Sequence, residues 1–199
     1  HASDYDRWAQ MGCQGWSWDD VLPFFKSSET HQHGESEFHG GDGPLRISHD
    51  VSPNPLVESF LKAGKQAGHP ETDDFNGAQL EGVGTYDCTI HEGERWSVSR
   101  GYLDPIKDRK NLEIMTDALV ETILIKEGRA TGVRVKQGGI SKDITAASEV
   151  LVCGGAINSP QILMLSGIGP GDQLRNLGIN IIQECAGVGQ YLQDHLDVI

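Results

Sequence analysis

The sequence lacks any apolar run that approaches the roughly 20 residues needed to cross a lipid bilayer. It is also poor in basic residues, because its 199 residues include 16 Lys and Arg against 29 Asp and Glu, a formal net charge of -13. Such a chain is repelled by nucleic-acid phosphates and by anionic membrane surfaces. We therefore expect no transmembrane segment and no nucleic-acid partner, whereas the composition leaves the oligomeric state open.

Cysteine is scarce, and no pair has the C-x-x-C spacing that is typical of metal or redox sites. The cysteines lie far apart, at Cys13, Cys88, Cys153 and Cys185. This spacing favours free thiols over a disulfide framework, and free thiols are typical of a reducing compartment. No signal-peptide pattern opens the chain. We therefore expect a cytoplasmic protein.

The sequence gives little support for a metal site. Histidine and glutamate share one glycine-rich loop, residues 30–44, at His31, His33, Glu35, Glu37 and His39. A metal site needs converging ligands and further side chains that orient them. An H-x-H pair with a distant third histidine on such a loop is more typical of solvated side chains, so we expect no bound metal.

Glycine is abundant, with 25 residues, which indicates many turns. Three segments between turns have helical patterns, at residues 4–12, 16–29 and 55–68. Within the second segment, Ser17 and Asp20 have the spacing of a capping box, and Pro23 is expected to kink or restart the helix.

Short runs of branched and aromatic residues, bounded by turn residues, predict strands. They lie at residues 45–47, 85–90, 95–97, 112–114, 120–125, 131–135, 140–145, 150–153 and 179–182. The four runs from 112 to 145 predict a meander of hairpins. The run at 150–153 predicts a strand buried on both faces, and residues 172–177 predict a short helix closed by Gly178.

Residues 154–170 predict a glycine turn followed by a short helix. Ser159 and Pro160 have the pattern of an N-cap and a first helical residue, and Gly167 is the expected end. A strand, glycine turn and helix in this order commonly bind nucleotide phosphates at the helix N-terminus. Neither Ser159 nor Ser166 lies in a G-x-S-x-G elbow, so we expect no serine nucleophile.

The stretch GAINSPQILMLSGIG at residues 155–169 resembles the second signature of the glucose–methanol–choline (GMC) oxidoreductases. Four other stretches are similar to the same family in the same order. They are DYDRWAQMGCQGWSWDDVLPFFKSSE, FHGGDGPL, ERWSVSRGYLDP and GVGQYLQDH. The resemblance covers nearly the whole chain, and the matching stretches most resemble the bacterial choline-dehydrogenase-like branch of the family.

The resemblance implies an α/β fold with mixed α+β character: part of a Rossmann-type FAD-binding domain with an antiparallel-sheet substrate domain. It assigns residues 1–40 and 106–199 to the FAD domain and residues 41–105 to the substrate domain. The G-x-G-x-x-G fingerprint of FAD binding is absent from this sequence. The chain is therefore expected to be an internal fragment of a larger enzyme.

The family's activity implies FAD-dependent oxidation of choline or another primary alcohol, in which the alcohol gives a hydride to the flavin while a base takes the hydroxyl proton. The family's catalytic histidine is expected beyond Ile199, so no catalytic residue is assigned here, and the fragment alone is expected to be inactive. Dehydrogenase and oxidase both remain open. The alternative is a non-catalytic scaffold or binding module derived from the family.

The resemblance also implies five cofactor-binding residues. Val120 matches a strand residue whose backbone meets the FAD adenine. Gly155 and Ala156 match a turn on the ribose and pyrophosphate side. Asp194 and His195 match the family's D-H pair. In the usual motif N-L-Q-D-H an asparagine stands at the position that Tyr191 occupies here.

Overall fold

The computed structural model of the chain describes residues 1–49 and 54–194. The chain divides into two compact units, His1–Leu112 and Glu113–Ile199. The first unit contains three α-helices and four short strands, and the second contains a three-stranded meander, two helices and one pair of short strands among its described residues. The predicted division into FAD-domain and substrate-domain segments stays a prediction.

The helices of the first unit are α1 (Ala2–Gln10), α2 (Trp18–Ser28) and α3 (Pro55–Gln66). The predicted capping box is confirmed, because the Ser17 hydroxyl accepts from the Asp20 N–H and the Asp20 carboxylate accepts from the Ser17 N–H. Pro23 does not restart α2, which continues through it. A single proline removes only one intrahelical hydrogen bond, and the capped helix tolerates that loss.

The strands of the first unit are short and lie in two pairs. β1 (Glu29–His31) pairs in parallel with β2 (Leu45–Ile47). β3 (Ile90–His91) pairs antiparallel with β4 (Glu94–Arg95). The sequence predicted β2 but not β1. The long strand predicted at residues 85–90 is wrong, since only its last residue is in a strand. A five-residue π-helix (Ser99–Leu103) and a 3-10 turn (Asp104–Ile106) follow.

In the second unit, three of the four strands of the predicted meander are confirmed. β5 (Ala118–Lys126), β6 (Arg129–Gln137) and β7 (Ile140–Thr145) form one antiparallel sheet in chain order. Two tight turns connect them, and each turn uses residues with positive φ, including Gly128 at 77° and Gly139 at 82°. The strand predicted at residues 112–114 is absent.

The second part of this unit consists of α4 (Gly155–Leu165), β8 (Ile168–Gly169), α5 (Gly171–Asn176) and β9 (Gln183–Glu184). β8 and β9 pair in parallel. Gly167 follows α4 with φ 84°, and a Cβ there would lie 2.4 Å from the Asn180 carbonyl oxygen, so glycine is required at the predicted helix end. The strand predicted at 179–182 is wrong, because the pairing starts at Gln183.

Two predictions before and at the start of α4 are also wrong. Residues 150–153 form no strand, and Leu151 is 75% exposed. A strand needs at least one hydrogen-bonded neighbour, and the described residues supply none here. Ser159 is not an N-cap, since α4 already begins at Gly155 with Gly154 as its cap residue. The two glycines turn the chain into the helix earlier than the Ser-Pro pattern indicated.

The buried apolar core of the described chain is small. Val21 is buried in the first unit, and Ile123, Val135 and Leu174 are buried in the second. Helix α3 has the predicted amphipathic pattern but contains no buried residue, and Phe60 on it is 71% exposed. The four cysteines are free, as expected, but Cys153 is exposed instead of buried. None of the described helices combines the length and apolarity that a membrane crossing requires.

The capping box at the start of α2 can be tested by mutation. Ser17→Ala should lower the free energy of unfolding of the first unit by about 1 kcal/mol, because it removes the N-cap acceptor. Tryptophan fluorescence during denaturant unfolding is a selective readout, since all four tryptophans lie in this unit. Ser27→Ala is the matched control: its hydroxyl only donates to the Phe24 carbonyl on an exposed face. Equal losses in the two variants would contradict the capping role.

Candidate functional site

Helix α4 is fixed at its C-terminal end by one buried hydroxyl. Ser166 follows the last helical residue and is 6% exposed. Its Oγ accepts from the Ile123 N–H of β5 at 2.7 Å and donates to the Ile162 carbonyl oxygen at 2.6 Å. Ile123 is itself buried. The hydroxyl therefore joins the helix end to a strand of the meander.

The opposite end of α4 is open. No side chain caps the helix at Gly154, and the N–H groups of a first helical turn have no intrahelical acceptor. Gly155 has φ 78°, and a Cβ at this position would meet nothing within 4 Å. Gly155 and Ala156 are both exposed. The turn therefore presents backbone donors to an accessible space.

Two features shape the middle of α4. Pro160 lies inside the helix and has no N–H, so the Ala156 carbonyl loses its usual intrahelical donor. The turn at residues 187–190 lies against the same helix, because a Cβ on Gly189 would be 3.1 Å from Cε of Met164. The segment that leads to the predicted Asp-His pair is thus held beside α4.

The structure places the predicted cofactor residues as follows. Gly155 and Ala156 lie at the open N-terminus of α4, and Val120 lies in β5, which packs against α4. Val120 stands beside an irregularity in the pairing of β5 with β6, between Val120 and Thr122. Asp194 is exposed and is the last described residue, and His195 lies outside the described residues.

The first unit contains a second cluster of polar side chains, which is buried. Its centre is His39, whose Nδ1 lies 2.6 Å from Glu29 Oε1 and whose Nε2 lies 2.9 Å from Asp74 Oδ2. A neutral imidazole has a single ring N–H, so two carboxylate partners favour the protonated ring, which has a donor on each nitrogen. Burial lowers the pKa of His39, but the hydrogen bonds and charges of Asp74 and Glu29 outweigh it, and the net pKa is raised.

Two more histidines and another carboxylate extend this cluster. The ring of His31 stacks on that of His39, with centroids 4.1 Å apart. Asp87 accepts from His49 Nδ1 at 2.8 Å, and its other oxygen lies 3.4 Å from His31 Nε2. His49 is held in turn by Thr85, whose Oγ1 lies 2.9 Å from its Nε2.

The sequence did not predict the buried cluster. It treated His31 and His39 as solvated, but they are only 8% and 6% exposed. Asp74 is 35 residues from His39, Asp87 is farther still along the chain, and no sequence pattern connects them to the histidine loop. The Ser166 link was missed for the same reason, because Ile123 and Ser166 are 43 residues apart and no sequence pattern connects them.

Comparison with known proteins supplies the context for both sites. A family model described as "GMC oxidoreductase" matches residues 1–197. The chain is 48% identical over 198 residues to the mitochondrial choline dehydrogenase of Homo sapiens, covering all of this chain and 33% of that protein. It is 49% identical over 201 residues to the oxygen-dependent choline dehydrogenase of Chromohalobacter salexigens, covering 36% of that protein.

Among solved structures, an FAD-dependent oxidoreductase from Chaetomium thermophilum superposes with a TM-score of 0.90 at 31% identity. The match covers 97% of this chain and 36% of that one. The predicted α/β fold class is confirmed by these matches. The chain spans about a third of the length of the relatives it matches.

The Ser166 link predicts a specific loss of stability. Ser166→Ala leaves the buried Ile123 N–H without an acceptor, which should cost about 1–3 kcal/mol of unfolding free energy. Hydrogen exchange of the Ile123 amide should become faster in the same variant. Both are measurable, the first by circular dichroism during denaturant unfolding and the second by NMR.

The matched control for this variant is Ser141→Ala. The Ser141 hydroxyl donates to Glu121 on an exposed face of the same unit, so its loss should change stability by no more than about 0.5 kcal/mol. If Ser166→Ala is no more destabilising than Ser141→Ala, the hydroxyl does not anchor α4.

Proposed function

This chain belongs to the GMC oxidoreductase family, and from that membership we propose that it is part of an FAD-dependent enzyme that oxidises choline or another primary alcohol. The observation that carries the proposal is the open N-terminal turn of α4, which coincides with the start of the family signature. The curated relatives named choline dehydrogenase support choline as the first alcohol to test.

The residues at this turn fit an anionic cofactor. Backbone N–H groups at a helix N-terminus carry partial positive charge and bind phosphate groups well. Gly155 needs no room for a side chain, so a pyrophosphate can approach the backbone of Gly155 and Ala156 closely. We assign these two residues to the ribose and pyrophosphate side of FAD.

Two other segments would complete this chain's share of the cofactor site. The backbone of Val120 on β5 offers a donor and an acceptor of the kind that an adenine edge needs. The turn that precedes Asp194 and His195 is held against α4 at Gly189. We assign Val120 to the adenine and the Asp-His pair to the neighbourhood of the flavin.

The chemistry of the reaction would come from FAD, which accepts a hydride from the alcohol carbon when it is bound. The role of this chain's residues is to bind and orient the cofactor, and none is assigned to take the alcohol proton. The chain spans 33–36% of its curated relatives, and α3 presents an exposed apolar face. We therefore attribute turnover to a longer polypeptide and expect the 199 residues alone to be inactive.

We also infer that the protein works in a reducing compartment such as the cytoplasm. The support is its four free cysteines, all of which are exposed. Exposed thiols are oxidised easily where disulfides form. The human relative is named mitochondrial, so the matrix of an organelle would satisfy the same chemical requirement.

The first functional test compares the 199-residue chain with a polypeptide in which it is continued to the length of its relatives. The longer protein should copurify with FAD, and choline added without oxygen should bleach the visible flavin absorption. The 199 residues alone should do neither. A longer protein that binds FAD but is not reduced by choline or by other primary alcohols would favour the non-catalytic alternative.

The second test concerns the turn at α4. Gly155→Ala forces a residue with a Cβ into φ 78°, which costs about 1–2 kcal/mol and moves the first N–H groups of the helix. In the longer protein the Kd for FAD should rise roughly tenfold, which corresponds to about 1.4 kcal/mol. This Kd is measured by titrating the flavin-free protein with FAD and following the quenching of fluorescence.

Gly178→Ala is the matched control for this turn. Gly178 also has positive φ, 68°, and open space around its missing Cβ, but it follows α5 instead of starting α4. Both variants should lose similar stability, and only Gly155→Ala should weaken FAD binding. Equal affinities for FAD would show that the turn is not part of the cofactor site.

A further inference from the structure

The buried cluster of the first unit holds one polar atom without a hydrogen-bond partner. His31 Nε2 is that atom, and it is fully buried among the described residues. The nearest carboxylate oxygen, Asp87 Oδ2, lies at 3.4 Å without hydrogen-bond geometry. A buried donor or acceptor left unpaired costs about 1–3 kcal/mol, so such an atom points to a missing partner.

The charge of the cluster points to a cation as that partner. Glu29, Asp74 and Asp87 place three carboxylates around it, with side-chain exposures of 21%, 34% and 7%. Within the described part of the chain, no lysine or arginine forms an ion pair with any of the three. The three carboxylates thus concentrate negative charge in one partly buried place. Buried charges are stable only when they are paired or bind a metal ion.

The geometry already gathers three ligand atoms. One atom each from His31, His39 and Asp87 lies within 4.8 Å of the others. Ligand atoms around tetrahedral zinc lie about 3.3 Å apart, since each is about 2.0–2.1 Å from the ion. The side chains must therefore close by up to about 1.5 Å, and the stacked rings of His31 and His39 must turn so that a lone pair of each faces the ion.

From these observations we propose that His31, His39 and Asp87 bind a divalent zinc-like cation that ties together distant segments of the first unit. Two imidazole nitrogens and a carboxylate oxygen are ligands that suit Zn²⁺. Exchange of the ion is possible through a neighbouring cleft of about 500 Å³, which His31 also lines.

The surrounding side chains are arranged as supports for such a site. On binding the ion, one ring nitrogen of His39 releases its proton to solvent and contacts the ion in place of its carboxylate partner, while the other nitrogen keeps its carboxylate partner. Asp87 keeps its bond to His49, which leaves Oδ2 for the metal. A carboxylate behind a ligating histidine is the usual support of zinc sites. Metal binding would cost the cluster one long hydrogen bond, in which His31 Nδ1 accepts from the His33 N–H at 3.3 Å.

The test begins with the full chain freed of metal by EDTA and then titrated with ZnCl₂ in a calorimeter. We expect one Zn²⁺ per chain and a higher thermal unfolding temperature with the ion bound. His31→Gln and Asp87→Asn should each weaken zinc binding by at least roughly tenfold. His69→Gln, which changes an exposed histidine of the same unit, should leave binding unchanged. Absence of zinc uptake, or equal affinity in all variants, would overturn the site.

A second measurement does not depend on the folding of any variant. X-ray absorption of the zinc-loaded chain should show nitrogen and oxygen ligands at about 2.0–2.1 Å, with the outer scattering of imidazole. The four exposed cysteines are the competing ligands. Sulfur at about 2.3 Å would show that zinc binds to them instead and would overturn the proposal.

Discussion

The hydrogen bonds of one buried hydroxyl fix helix α4, whose N-terminal turn we propose as part of the cofactor site. Ser166 Oγ accepts from Ile123 and donates to Ile162, so the end of α4 is tied to the meander. Because this end is fixed, the other end of the helix can remain uncapped without the helix losing its place. The open first turn at Gly155 therefore belongs to a helix that is held in place at its opposite end.

The two polar sites of the chain follow opposite physical rules. At α4, backbone N–H groups face an open space, and water satisfies them at little cost until an anion arrives. Around His39, carboxylates and imidazoles are removed from water, so each must find a partner within the protein. The first arrangement favours a cofactor that binds from outside. The second favours a small ion that becomes part of the fold.

The sequence predicted those features that short-range patterns determine. The capping box of Ser17 and Asp20, the hairpins of the meander and the glycine after α4 each depend on neighbours in the chain, and each was confirmed. The prediction of a strand at 150–153 was wrong because a parallel strand depends on neighbouring strands from elsewhere in the chain, about which the local pattern says nothing. The same limit applies to the histidine cluster, in which Asp74 and Asp87 arrive from distant loops. The predicted start of α4 was wrong because Gly154 and Gly155 turn the chain into the helix before the Ser-Pro pattern is reached.

We propose that the open turn of α4 receives the pyrophosphate of FAD. Hydrogen exchange of the amides of residues 155–157 tests it most directly, in the longer protein with and without FAD. The account predicts that FAD slows exchange at these amides, while the Ile123 amide, already bonded to Ser166, exchanges at the same rate in both states. Unchanged exchange at residues 155–157 in a protein that has bound FAD would contradict the account.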